Sequence, residues 1–310
     1  MLGFVFKRTG DALLTAFLVF TFVFFAMRLL PGDPVVAMLG DLAGEEVIAN
    51  VRRSLGLDQP LLVQYGNFLW DLLHFDLGTS LINRASVGEL MAYNLPYTLM
   101  LTLASTIIGI AIGLPLGVVS AMRAGQATDH TTRIVALFGS ALPDFYVGVV
   151  FLLFFGLSLG WFPLLGGGDS PFDLHHLAMP AMALGMLKGF AFVRLTRTAV
   201  LDVASKDYVR TARALGLPGR DIIWRHILRN AMIPITTHLS LSIVATLGGT
   251  IALELVFNRP GVGQLLVGAV SSRDYTLIQG GIVILSLLVV FVNFVTDLLY
   301  AVIDPRVRAG

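Results

Sequence analysis

The chain has no cysteine in its 310 residues. Disulfides and thiolate metal sites are therefore excluded, and cysteine usage says nothing about redox compartment. Charge is scarce as well. Only 13% of residues are charged, against about 25% in an ordinary soluble domain, while 56% are hydrophobic and the mean hydropathy is +0.81. That pairing of deficit and surplus belongs to an integral membrane protein. No GxxxxGK[ST] run is present, and the Lys188–Gly189 pair sits in an apolar stretch, so no glycine-rich loop cradles a phosphate. Paired carboxylates for hydrolysis, HExxH and GxSxG are likewise missing. His175 and His176 are adjacent, a spacing that suits neither i,i+4 nor tetrahedral ligation. Nothing resembles a nucleic-acid-binding module.

What is present is a series of long apolar runs. The first, about residues 12–30, follows Lys7 and Arg8. It approaches the ~20 residues needed to span a bilayer, exceeds a secretion signal's apolar core, and is followed by no small-x-small cleavage site, so it reads as a retained first span. Further spans are expected at about 97–122, 134–159, 177–196, 235–256 and 275–303, which makes six. Pro143 and Asp144 predict a kink or broken turn in the third, with Trp161 and Phe162 at its far interface. Gly109, Gly113 and Gly117 share one face of the second and predict close helix packing. Between the first two spans, Pro31, Gly32 and Pro34 stop the helix. A short helix over Glu45–Leu55 and an amphipathic one over Pro60–Phe75 then follow, the latter lying on the bilayer surface or the bundle.

Basic residues set the orientation. With the N-terminus inside, Lys7, Arg8, Arg123, Arg133, Arg306, Arg308 and the basic residues of 194–229 all fall inside. Outside, beyond the long first loop, only Arg259 and Arg273 remain.

The strongest feature is the charged island Ser205–Pro234, SKDYVRTARALGLPGRDIIWRHILRNAMIP. Gly216, Pro218 and Gly219 divide it into two short helices. Tyr208, Val209, Ala212 and Leu215 form one apolar face of the first, with Arg210 and Arg213 off it. Asp221 caps the second and pairs with Arg225, and Ile223, Trp224, Ile227, Leu228 and Ala231 form its apolar face. A loop lying on anionic lipid explains the arginines but not the broken helix pair. A rigid protrusion that docks a soluble partner explains both. Within the spans, Asp144, Lys188, Arg194, Glu254, Asn293 and Asp297 form no mid-membrane acid relay; most read as structural polar groups near helix ends. Asp144, Lys188 and Asn293 are the candidate pathway residues.

At these residues the loop resembles the EAA–x3–G loop of ATP-driven importer permeases. Aligned on Gly216, Ala212 matches the second alanine, Thr211 replaces the first, and Arg210 stands where that family often has Glu. YVRTARALG…RHILRNAMIP is similar to the dipeptide/oligopeptide subclass, in which the Glu is commonly lost. LLPGDP at 29–34, LGLDQPLLVQYGNFL at 55–69, DLGTSL at 76–81, NLPYTLMLTL at 94–103, FNRPGVGQLL at 257–266 and YAVIDPRVR at 300–308 extend the resemblance over almost the whole chain.

The resemblance implies an all-α integral membrane protein of six transmembrane helices with the type I importer (MetI-like) fold. It implies one permease domain over 1–310, with an extracytoplasmic loop over 31–95 and a cytoplasmic coupling loop over 197–234. The chain would be the first of two related permeases, lining a pathway with a homologous second permease. Two ATPase subunits would use ATP and Mg, and an extracytoplasmic binding protein would deliver peptides. This chain itself would hold no cofactor and catalyse nothing. Tyr208, Val209, Arg210, Thr211, Ala212, Arg213, Ala214, Leu215, Gly216 and Leu217 would be the coupling helix. Both termini would be cytoplasmic, in a bacterial or archaeal cytoplasmic membrane. The same architecture also carries nickel chelates, glutathione and oligosaccharides. The rival of another class is a gradient-driven carrier, whose mark is an inverted repeat with interrupted helices and buried acids.

Overall fold

The computed structural model describes residues 2–29, 35–36, 44–54 and 56–303. The expected helix stop at Pro31–Pro34 and the tail at 304–310 lie outside them. Among the described residues the chain is helical, with one isolated antiparallel bridge between Thr79 and Ser86. Helices α1 (Leu2–Leu29), α4 (Val87–Met122), α7 (Leu174–Ala204), α9 (Gly219–Gly249) and α12 (Tyr275–Ile303) are each long and apolar enough to cross a membrane. A sixth crossing forms if α5 (Ala127–Gly139) and α6 (Asp144–Ser158), bent by 99° at their junction, make one span. The broken turn expected at Pro143 is that bend. Pro143 is extended, with ψ 140°, so it belongs to neither helix and stands at the N-cap of α6.

The start of the second span differs from the sequence reading. The second span begins at Val87 rather than after Pro96, which lies inside the helix. Ser86 and Glu89 stand at capping-box spacing ahead of the apolar run, a start signal that outranks the proline. The long first loop is correspondingly shorter, and it carries α2 (Glu45–Ser54) and α3 (Leu61–Leu73).

Two compact units divide the chain, residues 1–96 with 260–294 and residues 97–259 with 295–310. Helices α4 and α12 contribute to both. In the first unit, Val87, Met91, Val262, Ala269 and Leu277 form the core, the middle pair lying on α11 (Val262–Ser271). Asp274 is buried; its Oδ1 accepts from the backbone N–H of Leu277 at 3.1 Å and of Leu81 at 3.3 Å, tying the start of α12 to the 79–81 turn. Helix α3 packs Tyr65 and Phe68 on Phe24 of α1, ring centroids 5.2 and 5.3 Å apart, and leaves Leu62 and Trp70 exposed.

The second unit is organised around α7, the most deeply buried of the long helices. The glycines of α4 make this possible. A Cβ on Gly113 would stand 2.3 Å from Phe192 Cβ, one on Gly117 2.5 Å from Thr196 Cβ, and one on Gly109 2.9 Å from Lys188 Cβ. Gly185 of α7 faces back onto Ile108 in the same way. The two backbones therefore approach more closely than any side chain allows, as the four-residue spacing predicts. Beyond α9, the short α10 (Ile251–Val256) leads to Arg259, which is fully buried. Arg259 donates to the carbonyls of Pro171 at 3.1 Å and Gly167 at 3.5 Å, and its guanidinium lies 5.1 Å from the Tyr97 ring centroid.

Candidate functional site

Helix α8 (Asp207–Ala214) opens with Lys206 in extended conformation and places Asp207 in the first turn and Arg213 in the last, both favourable to the helix dipole. Its end is set by Gly216, at φ +73°. The Leu217 N–H bonds to the Ala212 carbonyl at 3.3 Å and the Gly216 N–H to the Arg213 carbonyl at 3.0 Å. This is a Schellman stop, which needs a left-handed residue at the glycine position. Leu217–Pro218 then starts α9, so the break at 216–219 is where the sequence puts it.

The apolar face of α8 is split in two. Val209 and Ala212 are buried with Ala199 and Val200 of α7 and with Ile222, Ile227, Ala231 and Ile235 of α9. Tyr208, Leu215 and Leu217 point the other way, and Leu215 is 75% exposed. The expectation that Tyr208, Val209, Ala212 and Leu215 form a single face is corrected accordingly: the small residues lock the helix down and the large ones are presented. Arg210, Thr211, Arg213 and Ala214 are exposed beside them. Arg210 lies 3.7 Å from Asp207, both in solvent, a contact of little energetic weight.

The second half of the island is not a separate short helix. It continues into the membrane span as α9, with a π-helical segment over Ile222–Leu228 and Pro234 inside the helix. Asp221 is not its cap; Pro218 holds that position without a side-chain bond, and Asp221 sits a turn further in, 4.0 Å from Arg225. Of the expected second apolar face, Ile227 and Ala231 are buried while Trp224 is exposed. The π segment left no trace in the residue spacing.

A cavity of about 340 Å³ opens among α6, α7 and α9. Asp144, Lys188, Arg194, Ser140, Ser242 and Thr246 supply its polar wall. Lys188 Nζ donates to Thr106 Oγ1 at 2.7 Å and Ser105 Oγ at 3.1 Å. Lys188 and Asp144 also attract each other electrostatically. Charges in a membrane-embedded helix face the bundle interior or a water-filled cavity, and this lining does so. Of the three candidate pathway residues, Asp144 and Lys188 meet here. Asn293 belongs to the other unit, where its side chain is exposed.

Sequence reasoning missed the Asp129–Arg197 pair. Residue 129 falls in a stretch that reads as a short polar loop, but α5 begins at Ala127; residue 197 reads as loop, but α7 runs on to Ala204. Asp129 is almost wholly buried and accepts from Arg197 Nε at 2.6 Å and Nη2 at 2.8 Å, from Ser120 Oγ at 2.7 Å and from the Gly125 N–H at 2.9 Å. No local pattern links partners so distant in sequence.

Comparison with known proteins gives this arrangement a family. The model of the binding-protein-dependent transport system inner membrane component matches residues 113–309, and that of the N-terminal part of such components matches 1–102. The chain belongs to this family. It is a multi-pass inner membrane protein of the transport-permease type. It is 37% identical over 333 residues to the di/tripeptide transport system permease protein DppB of Pseudomonas aeruginosa, with 99% of each chain covered. It is 40% identical over 308 residues to the glutathione transport system permease protein GsiC of Salmonella typhimurium, again with 99% of each covered. A chain of the inward-facing MetNI methionine ABC transporter superposes with a TM-score of 0.60 at 20% identity, over 69% of this chain and 96% of that one. The membrane component therefore has the MetI-like fold.

Proposed function

We propose that this chain is the permease subunit of an ATP-driven importer of short peptides. It lines the pathway with a homologous second permease and takes solute from an extracytoplasmic binding protein. ATP and Mg are used by two separate ATPase subunits, and this chain holds neither. Helix α8 is the coupling element, on the cytoplasmic side with both termini. The observation that carries the reading is the division of α8: Val209 and Ala212 are anchored in the core while Tyr208, Leu215 and Leu217 are offered to solvent. A rigidly mounted apolar knob on a charged loop is suited to a groove on a soluble partner. The di/tripeptide and glutathione permeases among its relatives favour a solute with a peptide backbone. The Lys188–Asp144 cavity suits such a zwitterion, offering a cation to its carboxylate and a carboxylate to its amine.

The absence of cysteine makes the test clean. Leu215→Cys carries a single thiol, which in the assembled transporter should cross-link to an ATPase subunit. Trp161→Cys, at the opposite end of the membrane path, should not. Equal cross-linking of both, or none at Leu215→Cys, would contradict the assignment.

A further inference from the structure

A second cavity, of about 420 Å³, lies between α5 and α7. His130 and Arg133 line it from α5, and Arg194 and Arg197 from α7. Arg197 is committed to Asp129, and every oxygen contact of that carboxylate is taken up by Arg197, Ser120 and Gly125. Arg133 and Arg194 are different. Both are exposed, and among the described residues neither has an ion-pair partner. Asp129, buried behind Arg197, has no capacity left to neutralise them. Asp144 shares the wall of the first cavity with Arg194 but forms no ion pair with it, so the α5–α7 cavity carries unpaired positive charge.

Apart from Thr198, its remaining wall is apolar. Ile134 and Leu137, one and two turns along α5 from His130, are 55% and 56% exposed. The depth is also informative. About 20 residues cross the hydrocarbon core; the apolar run at 177–196 ends just past Arg194, and the one at 134–159 begins just past Arg133. Arg194 and Arg133 therefore sit where acyl chains give way to headgroups, on the side that the basic residues mark as cytoplasmic. A soluble anion has no use for the apolar wall, and a neutral lipid has none for the arginines.

We propose that the α5–α7 cavity is a binding site for an anionic phospholipid, with Arg133 and Arg194 on the phosphate group and Ile134 and Leu137 against the first methylenes. Basic pockets between helices at the cytoplasmic interface bind such headgroups through the same chemistry. Lipid held here would brace α5 against α7 beside the Asp129–Arg197 pair.

The test uses the full chain, purified in mild detergent and titrated with phosphatidylglycerol or phosphatidylcholine, with bound lipid counted by native mass spectrometry. Phosphatidylglycerol should bind preferentially, and Arg133→Gln and Arg194→Gln should each weaken it roughly fivefold, as expected for loss of one interfacial charge. Arg133→Lys should retain binding. Arg123→Gln, which removes the same charge outside the cavity, should leave binding unchanged. The proposal is overturned if the double glutamine variant binds as well as the parent, or if Arg123→Gln weakens binding equally. Displacement by inorganic phosphate at matched concentration would mark a free-anion site. Displacement by tri-alanine would instead make the cavity part of the solute route. Either result would also overturn the lipid assignment.

Discussion

Asp129 and Arg197 face each other across two parallel hydrogen bonds of 2.6 and 2.8 Å, and the carboxylate is 1% exposed. The pair joins α5 to α7, and through Ser120 it also reaches the end of α4. Removing one partner leaves the other's charge in a partly closed site. Arg197 keeps a fifth of its side chain exposed, so Asp129→Ala should cost about 1–3 kcal/mol, read as a fall in the detergent unfolding midpoint. Asp129→Glu should fall in between. A midpoint unchanged in Asp129→Ala would show that the pair is incidental.

The α4–α7 crossing gives a second prediction. A Cβ on Gly113 meets Phe192 Cβ at 2.3 Å and the Gly189 carbonyl at 2.7 Å, and neither is the flexible end of a side chain. Gly113→Val should cost at least the 1–3 kcal/mol typical of overpacking, with lowered yield of folded protein. Gly248→Val, where nothing lies within 4 Å of the added carbon, serves as the control. Equal behaviour of the two in thermal unfolding would remove the close crossing from the account.

These two cases mark how far the residue pattern reaches. Gly109, Gly113 and Gly117 are legible because helix geometry puts every fourth residue on one face, so the sequence contains its own spatial rule. The Gly216 stop and the bend at Pro143 are legible for the same reason, being local backbone chemistry. Asp129–Arg197 and the buried Arg259 are not, since their partners lie far away in the sequence. The exposure of Leu215 beside buried Val209 is not legible either. An apolar face on a short helix does not say which of its members meets the core.

Gly216 separates two effects. Its φ of +73° strains any other L residue, while nothing lies within 4 Å of an added Cβ. Gly216→Ala should therefore cost only about 1–2 kcal/mol of local strain and leave peptide-stimulated ATPase activity coupled to uptake. Gly216→Trp adds bulk on the face proposed to meet the ATPase. It should insert and fold, yet hydrolyse ATP without transport. Coupled, peptide-stimulated activity in Gly216→Trp would place the contact elsewhere.

Lys188 offers a test of the pathway. Thr106 and Ser105 each also donate to the Thr102 carbonyl, so Lys188→Met orphans no hydroxyl. Its effect on unfolding should stay within about 1 kcal/mol. Peptide uptake at saturating binding protein should nonetheless fall at least about tenfold, the worth of one charge-assisted hydrogen bond, and Lys188→Arg should restore most of it. Undiminished uptake in Lys188→Met would take this cavity out of the solute's route.

The central claim is that transport is driven through α8 by ATP hydrolysed on other subunits. Its most direct test is uptake of a labelled dipeptide into proteoliposomes holding this chain, its partner permease, the ATPase subunits and the loaded binding protein. The account predicts uptake that requires ATP, persists when ion gradients are collapsed, and is lost when the ATPase subunits are omitted. Uptake driven by a proton or sodium gradient without ATP would contradict it.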